Sequence, residues 1–198
     1  MAVLIAVAVV AVSTKRTDDG GIPPTAAPPT ESQPAPTSRP SVPVTATATA
    51  SCSRSNSVDS LGNTISYEPA RAVDGDPTTA WRCDGDGVGQ FLTVTFSEPV
   101  SLSRISIVPG LAKTDPGDGT DRYAQNRRVS QVRLGFDDGG QVDSALDTSP
   151  YNRTSQIVAL DRTVVTRSVT ITILSSTAGQ AQRDKAAVES VAISEVSW

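Results

Sequence analysis

Histidine is absent from this sequence, and sulfur-bearing and aromatic residues are scarce: two Cys, one Met, and 4% Phe, Trp and Tyr together. Without an imidazole there is no Ser-His-Asp or Cys-His catalysis and no His-ligated zinc. Two thiols, Cys52 and Cys83, cannot build a four-thiolate site. No Gly-x-x-x-x-Gly-Lys-Ser/Thr phosphate loop occurs, and Gly85, Gly87 and Gly89 precede a strand-like run rather than a helix. An excess of positive charge is missing too. Lys and Arg number 17 against 21 Asp and Glu, a net charge of −4, which gives duplex DNA and anionic lipid little to attract them. No nucleic-acid partner is expected, and the composition points away from an enzyme.

What is present is unevenly spread. The first 50 residues hold 8 of the 14 prolines and balance three basic against three acidic residues, so the net charge belongs to the remaining 148. That remainder is an ordinary size for a single core. Ala2 to Val12 is an unbroken apolar run, followed by Lys15-Arg16. As a helix it would cover about 17 Å, short of a hydrocarbon core of about 30 Å. Residues 1–13 read as a partial transmembrane helix whose upstream part is missing, as a weak signal peptide ending at Ala11-Val12-Ser13, or as a buried start. The first two place everything after Ser13 outside the membrane, with this segment as the only membrane contact. Residues 14–50 are a disordered Pro/Thr/Ala-rich linker with no apolar period. In polyproline II geometry, at about 3.1 Å per residue, its low-complexity part would reach on the order of 100 Å. It reads as a stalk, or as a plain disordered tail.

From Ser51 the pattern has period two. Leu92, Val94 and Phe96 alternate with Thr93 and Thr95 up to Glu98-Pro99, and Ile105 and Ile107 flank Ser106 before Pro109-Gly110. Val132, Leu134 and Phe136 precede the turn Asp137-Asp138-Gly139-Gly140, and Val169, Ile171 and Ile173 alternate with Ser and Thr. Gln156–Leu160 and Val188–Val196 are weaker strands, and Pro69–Ala72 is the one helical hint. Short β-branched runs between turns predict an all-β antiparallel sandwich or jelly roll over 51–198, two sheets facing across one core. In an extracytoplasmic setting a Cys52–Cys83 disulfide is expected; in a reducing compartment the same residues would be buried thiols.

The densest chemical signal is Ala72-Val73-Asp74-Gly75-Asp76-Pro77-Thr78-Thr79-Ala80-Trp81. Asp74 and Asp76 can turn oxygens towards one point with Thr79 nearby, as a hard cation requires, or form a tight Asp-Gly turn with solvated acids. This run resembles the signature loop of discoidin-type, F5/8 type C-like galactose-binding jelly rolls. Later segments are similar to a bacterial branch of them, the NADase-type glycan-binding domains. These are Val108-Pro109-Gly110 with Lys113, Asp121–Val129, Val132–Gly139 and Ala192–Val196, all in order. The branch name implies no NAD hydrolysis.

The resemblance implies that the first loop and last strand meet at a structural calcium ion, with Asp74, Asp76, Thr79 and Glu195 as ligands and the carbonyls of Arg71 and Ser194 beside them. For Trp81 two roles stand open, a stacking platform for a sugar and the core tryptophan of the sandwich. Arg122-Tyr123-Ala124-Gln125-Asn126-Arg127-Arg128 gathers guanidiniums, amides and a phenol in seven residues. Arg122, Tyr123, Asn126 and Arg127 are therefore expected to pair with hydroxyls, carboxylates or phosphates of a glycan. Alternatively Asn126 caps a turn and Arg127 pairs with Asp115, Asp118 or Asp121. The expected function is a non-catalytic, extracytoplasmic carbohydrate-binding module, with a glycan or cell-envelope polysaccharide as partner and the oligomeric state open. The alternative is a protein-interaction or sensory domain of a membrane-anchored signalling protein.

Overall fold

The computed structural model describes residues 43–180 and 190–198, so the expectations for residues 1–13 and for the linker up to 42 lie outside the described residues. The strands are β1 (Ala46–Ala50), β2 (Ser57–Val58), β3 (Thr64–Ile65), β4 (Trp81–Asp84), β5 (Phe91–Val108), β6 (Arg128–Phe136), β7 (Gln141–Ala145), β8 (Gln156–Thr177), β9 (Ser190–Ile193) and β10 (Glu195–Ser197). A 3-10 turn at Pro69–Ala72 and a one-turn helix α1 (Arg122–Gln125) complete the described elements. The fold class is all-β, as the period-two runs require. Among the described residues, no helix is long and apolar enough to cross a membrane.

The large sheet runs β1-β5-β8-β6-β7, with β10 also paired to β5; β4-β9 and β2-β3 form two-stranded sheets. Every pairing is antiparallel. The runs Leu92–Phe96 and Ile105–Ile107, read as separate strands, are two halves of β5. Between them the β5–β8 register shifts at Thr95/Val100 and at Leu102/Arg104. Such irregularities bend a strand, and they let Pro99 stay within β5 without costing a ladder bond. β8 likewise absorbs both Gln156–Leu160 and Val169–Ile173.

One core results. Leu92, Val94, Leu102, Ile105 and Ile107 of β5 pack with Val132 and Leu134 of β6 and with Ile171 and Ile173 of β8. Trp81 and Cys83 of β4 and Val191 and Ile193 of β9 close the cluster from the small sheet. Trp81 is 0% exposed, and its indole N–H donates to the Cys52 carbonyl at 2.8 Å. Beside it Cys52 and Cys83 form a disulfide, Cα atoms 5.8 Å apart and 31 residues apart in sequence. On the chain-entropy account this closure stabilises the fold by roughly 3–4 kcal/mol.

The domain begins before Ser51. β1 lies within the stretch read as linker and pairs along β5 from Ala46↔Phe96 to Ala50↔Leu92. Its Ala residues are half-buried and its Thr residues exposed, so the alternation is real. Small side chains make the inward face too weakly apolar to stand out from the preceding Thr/Ala tract.

Candidate functional site

Two polar features meet on either side of residues 78–80. The first is the acidic loop after the 3-10 turn. Gly75 has φ 79°, the left-handed region that a side chain would strain. That conformation brings the Asp76 N–H to Asp74 Oδ1 at 3.0 Å, and Asp76 Oδ1 in turn accepts from Thr78 N and Oγ1 at 2.8 and 2.7 Å. The Thr79 hydroxyl oxygen lies within 3.1 Å of four others: the carbonyls of Arg71 and Asp76 and both carboxylate oxygens of Asp74. A hydroxyl has one proton, so most of these approaches are oxygen against oxygen.

Glu195, on β10, completes this feature. Its Oε2 is buried with no hydrogen-bond partner. Desolvation, then the charges of Asp74 and Asp76, push its carboxyl up to about 7, against a hydrogen bond from the Gly75 N–H. The 3.4 Å pair between Arg71 and Asp74 is a half-exposed counter-charge. Ser194 is buried, its hydroxyl accepting from Ala112 N at 2.9 Å. Among the described residues no three acidic, thiol or imidazole side chains converge on one point. The converging donors are carboxylate, carbonyl and hydroxyl oxygens, a set that fits a hard cation such as calcium rather than a transition metal.

The second feature is a cavity of about 370 Å³. Its walls come from Arg54, the β2-β3 hairpin, residues 78–80, Arg82 of β4, the segment Leu111–Asp115 and the α1 region. Arg82 is 7% exposed, with its guanidinium 4.7 Å above the Tyr67 ring. Its Nη2 donates to Asn126 Oδ1 at 2.7 Å and to Ser190 Oγ, while its Nε has no acceptor. Desolvation lowers its pKa. Asp115 accepts from Ser60 Oγ, from Arg122 Nη2 at 2.6 Å and from Gly117 N at 3.1 Å. The bonds from Ser60 and Arg122 hold its carboxyl well below the usual range.

α1 arises because Asp121 caps it, accepting from Tyr123 N and Ala124 N at 2.9 and 3.1 Å. Residues 122, 125 and 126, at i, i+3 and i+4, then line the cavity, while Tyr123, Ala124 and Arg128 turn inward. Of the expected glycan ligands, Arg122 and Asn126 are thus at the cavity. Asn126 is the C-cap of α1, its Nδ2 donating to Arg122 O at 2.7 Å. The pairing with Asp115 falls to Arg122, which also lies 3.7 Å from Asp118. Arg127 is outside the cavity lining and donates from Nε to Ser176 Oγ at 3.0 Å.

Trp81 and Tyr123 are corrected. Both are 0% exposed, so neither ring offers a face to a sugar. Trp81 is the core tryptophan. Tyr123 lies beneath Gly110, where an added Cβ would sit 2.6 Å from its ring, and Arg128 stacks over it at 5.7 Å. Desolvation pushes the Tyr123 phenol up to about 12. Among the cavity residues that the sequence did not single out as ligands are Arg54, Tyr67, Arg82 and Lys113. They are scattered over 60 positions, and only the folded β4 and its neighbours bring them together.

Residues 44–198 match the family of the NAD glycohydrolase translocation F5/8 type C domain. The chain belongs to this family. An alpha-(1→3)-arabinofuranosyltransferase of Mycobacterium tuberculosis is 35% identical over 88 residues, 43% of this chain and 6% of that protein. The chain therefore spans only a small part of the curated relative it matches. The cryo-EM structure of arabinofuranosyltransferase AftD from Mycobacteria superposes with a TM-score of 0.51 at 22% identity, covering 78% of this chain and 11% of that one. This likeness is one of fold. A family 32 carbohydrate-binding module from C. perfringens NanJ, in complex with galactose, gives a TM-score of 0.47 at 19% identity over 77% of this chain and 90% of that one. The fold and the family match agree on a discoidin-like β-sandwich, whose loops here carry a polar cavity beside an acidic loop.

Proposed function

We propose that this F5/8 type C domain is a non-catalytic glycan-binding module that works outside the cytoplasm, at a cell surface or envelope. The observation that carries the reading is the cavity lining. Fixed amide and guanidinium forks (Gln125, Asn126, Arg122) and hydroxyls (Ser57, Thr78) stand beside apolar Val58 and Leu111, the mixture that sugar hydroxyls and ring faces require. Similarity to part of an arabinofuranosyltransferase fits a glycan setting. The Cys52–Cys83 disulfide fits an oxidising compartment.

Both carboxylates of the cavity are poor proton donors near neutrality. Asp115 is held down by Ser60 and Arg122, and Asp59 by its bonds to Asn63 and Leu61. A glycosidase needs one carboxyl raised, not two lowered.

Calcium belongs to this reading as a structural ion. The Asp74 and Glu195 carboxylates, the Thr79 hydroxyl and the carbonyls of Arg71 and Asp76 would hold it, and it would neutralise the charge gathered between the loop and β10. Such an ion does no chemistry on the ligand; it fixes the wall formed by residues 78–80.

The test is retention of the purified protein on immobilised envelope polysaccharides, with calcium and with chelator. Retention on a defined polymer is expected, weakened by chelator. A folded protein retained on none of them in either condition overturns the glycan reading and favours a protein partner.

A further inference from the structure

We propose that the cavity selects a negatively charged ligand, a glycan bearing carboxylate or phosphate groups; this rests on the glycan reading above. Four cations line it (Arg54, Arg82, Lys113 and Arg122) against two carboxylates, Asp59 and Asp115, in a chain whose net charge is −4. The cavity is therefore positive on an acidic protein.

Each carboxylate keeps its charge but is turned to donors of its own. Asp115 is engaged by Ser60, Gly117 and Arg122. Asp59 is folded back on its own hairpin, accepting from Leu61 N at 3.0 Å and from Asn63 N and Nδ2 at 2.8 and 3.2 Å. Arg54 pairs with the exposed Asp84, which is outside the cavity lining.

Arg82 and Lys113 are left without a close ion pair. Arg82 is buried against two neutral acceptors, with one N–H unbonded. Among the described residues neither Arg82 nor Lys113 has an ion-pair partner. A buried guanidinium held only by neutral groups keeps its field, and a low-dielectric wall focuses that field into the space beside it. A neutral sugar gains less from this than an anion, which also offsets the cost of the buried charge. Lys113, half-buried on the same wall, is the group that reaches the ligand; Arg82 acts from behind Asn126.

The experiment is a calorimetric titration of the full chain with trigalacturonate, with the neutral galactose trimer of the same linkage, and with inorganic phosphate. It is repeated at low and high salt, alongside amide chemical shifts of Lys113 and Asn126. Trigalacturonate is expected to bind at least about tenfold more tightly than the neutral trimer, and to lose that advantage at high salt and in Lys113→Gln. The Lys113→Gln variant should melt at the wild-type temperature. Phosphate moving the same two amides more strongly than trigalacturonate assigns the anion as phosphate rather than carboxylate.

Equal affinity for the charged and neutral trimers overturns charge selection and leaves the glycan reading standing. Phosphate binding with no response to either trimer retains the anion site and overturns the glycan reading. No response to any of the three overturns both.

Discussion

Arg128 and Arg82 are both buried guanidiniums, 5% and 7% exposed, in opposite company. Arg128 donates to five backbone carbonyls: Thr148 at 2.8 Å, Tyr123 at 2.9 Å, Ala124 and Asn126 at 3.1 Å, and Ala178 at 3.4 Å. It closes the C-terminal end of α1 onto the neighbouring loops and gives those carbonyls the partners they need. Arg82 meets two side chains and leaves its Nε unbonded. Around Arg128 the chain has satisfied itself, with only the Tyr123 hydroxyl left over. Around residues 73–82 it has not, since Arg82 Nε on one side and Glu195 Oε2 on the other are orphaned. The same residue type is a structural clamp in one region and a standing charge in the other. The number of backbone acceptors around it separates the two.

The largest effect should come from removing the clamp. Arg128→Met strands five carbonyls and should cost about 3 kcal/mol, a fall in Tm of roughly 6–12 °C by calorimetry. A loss under about 1 kcal/mol would erase the distinction between the two regions.

Glu195 should give a smaller effect whose sign depends on calcium. Its carboxyl is pushed up to about 7 from an ordinary 4.5. Between these values the folded state keeps a proton that the unfolded state releases, so in chelator stability falls as pH rises through that window. Glu195→Gln should therefore raise Tm by about 2–4 °C in chelator above pH 7. It should also abolish the gain in Tm that the proposed ion predicts for the wild type in millimolar calcium. Equal calcium gains in both proteins would remove Glu195 from the ion's ligands.

The smallest change in stability should follow Arg82→Met. An apolar side chain of similar volume replaces a buried, poorly compensated charge, so stability should shift by less than about 1 kcal/mol while affinity for anionic ligands drops. Denaturant titration paired with the calorimetric binding measurement separates the two readouts. A large destabilisation with unchanged binding would make Arg82 a clamp like Arg128.

The sequence made the architecture readable because the inward residues of β5, β6 and β8 are large aliphatics and aromatics, many of them β-branched, and alternate cleanly. It hid β1, whose inward residues are all alanine, and the continuity of β5, because Pro99 reads as a stop until the register shift is seen. In the acidic loop the order Asp74-Gly75-Asp76 and the distant Glu195 were visible in one dimension, since the resemblance to F5/8 type C domains supplied the long-range link. The cavity was half visible. Arg122 and Asn126 stood out in a dense cluster, but that cluster is a helical turn with two faces. Density alone placed the inward Tyr123 and the outlying Arg127 with the cavity residues. Arg54, Tyr67 and Arg82 carried no local signal, because their proximity is made by β4 and by the segment laid along it.

The covalent link at the edge of that segment has a mechanical side. A chain tugged from before Ala46 would unzip β1 from β5 and then meet Cys52, where the load crosses directly to Cys83 on β4. Residues 53–82 are a closed bight that the tension bypasses. That bight carries the whole acidic loop together with Arg54, Tyr67 and Arg82, so this part of the cavity wall would stay slack while the entrance to the domain is under load.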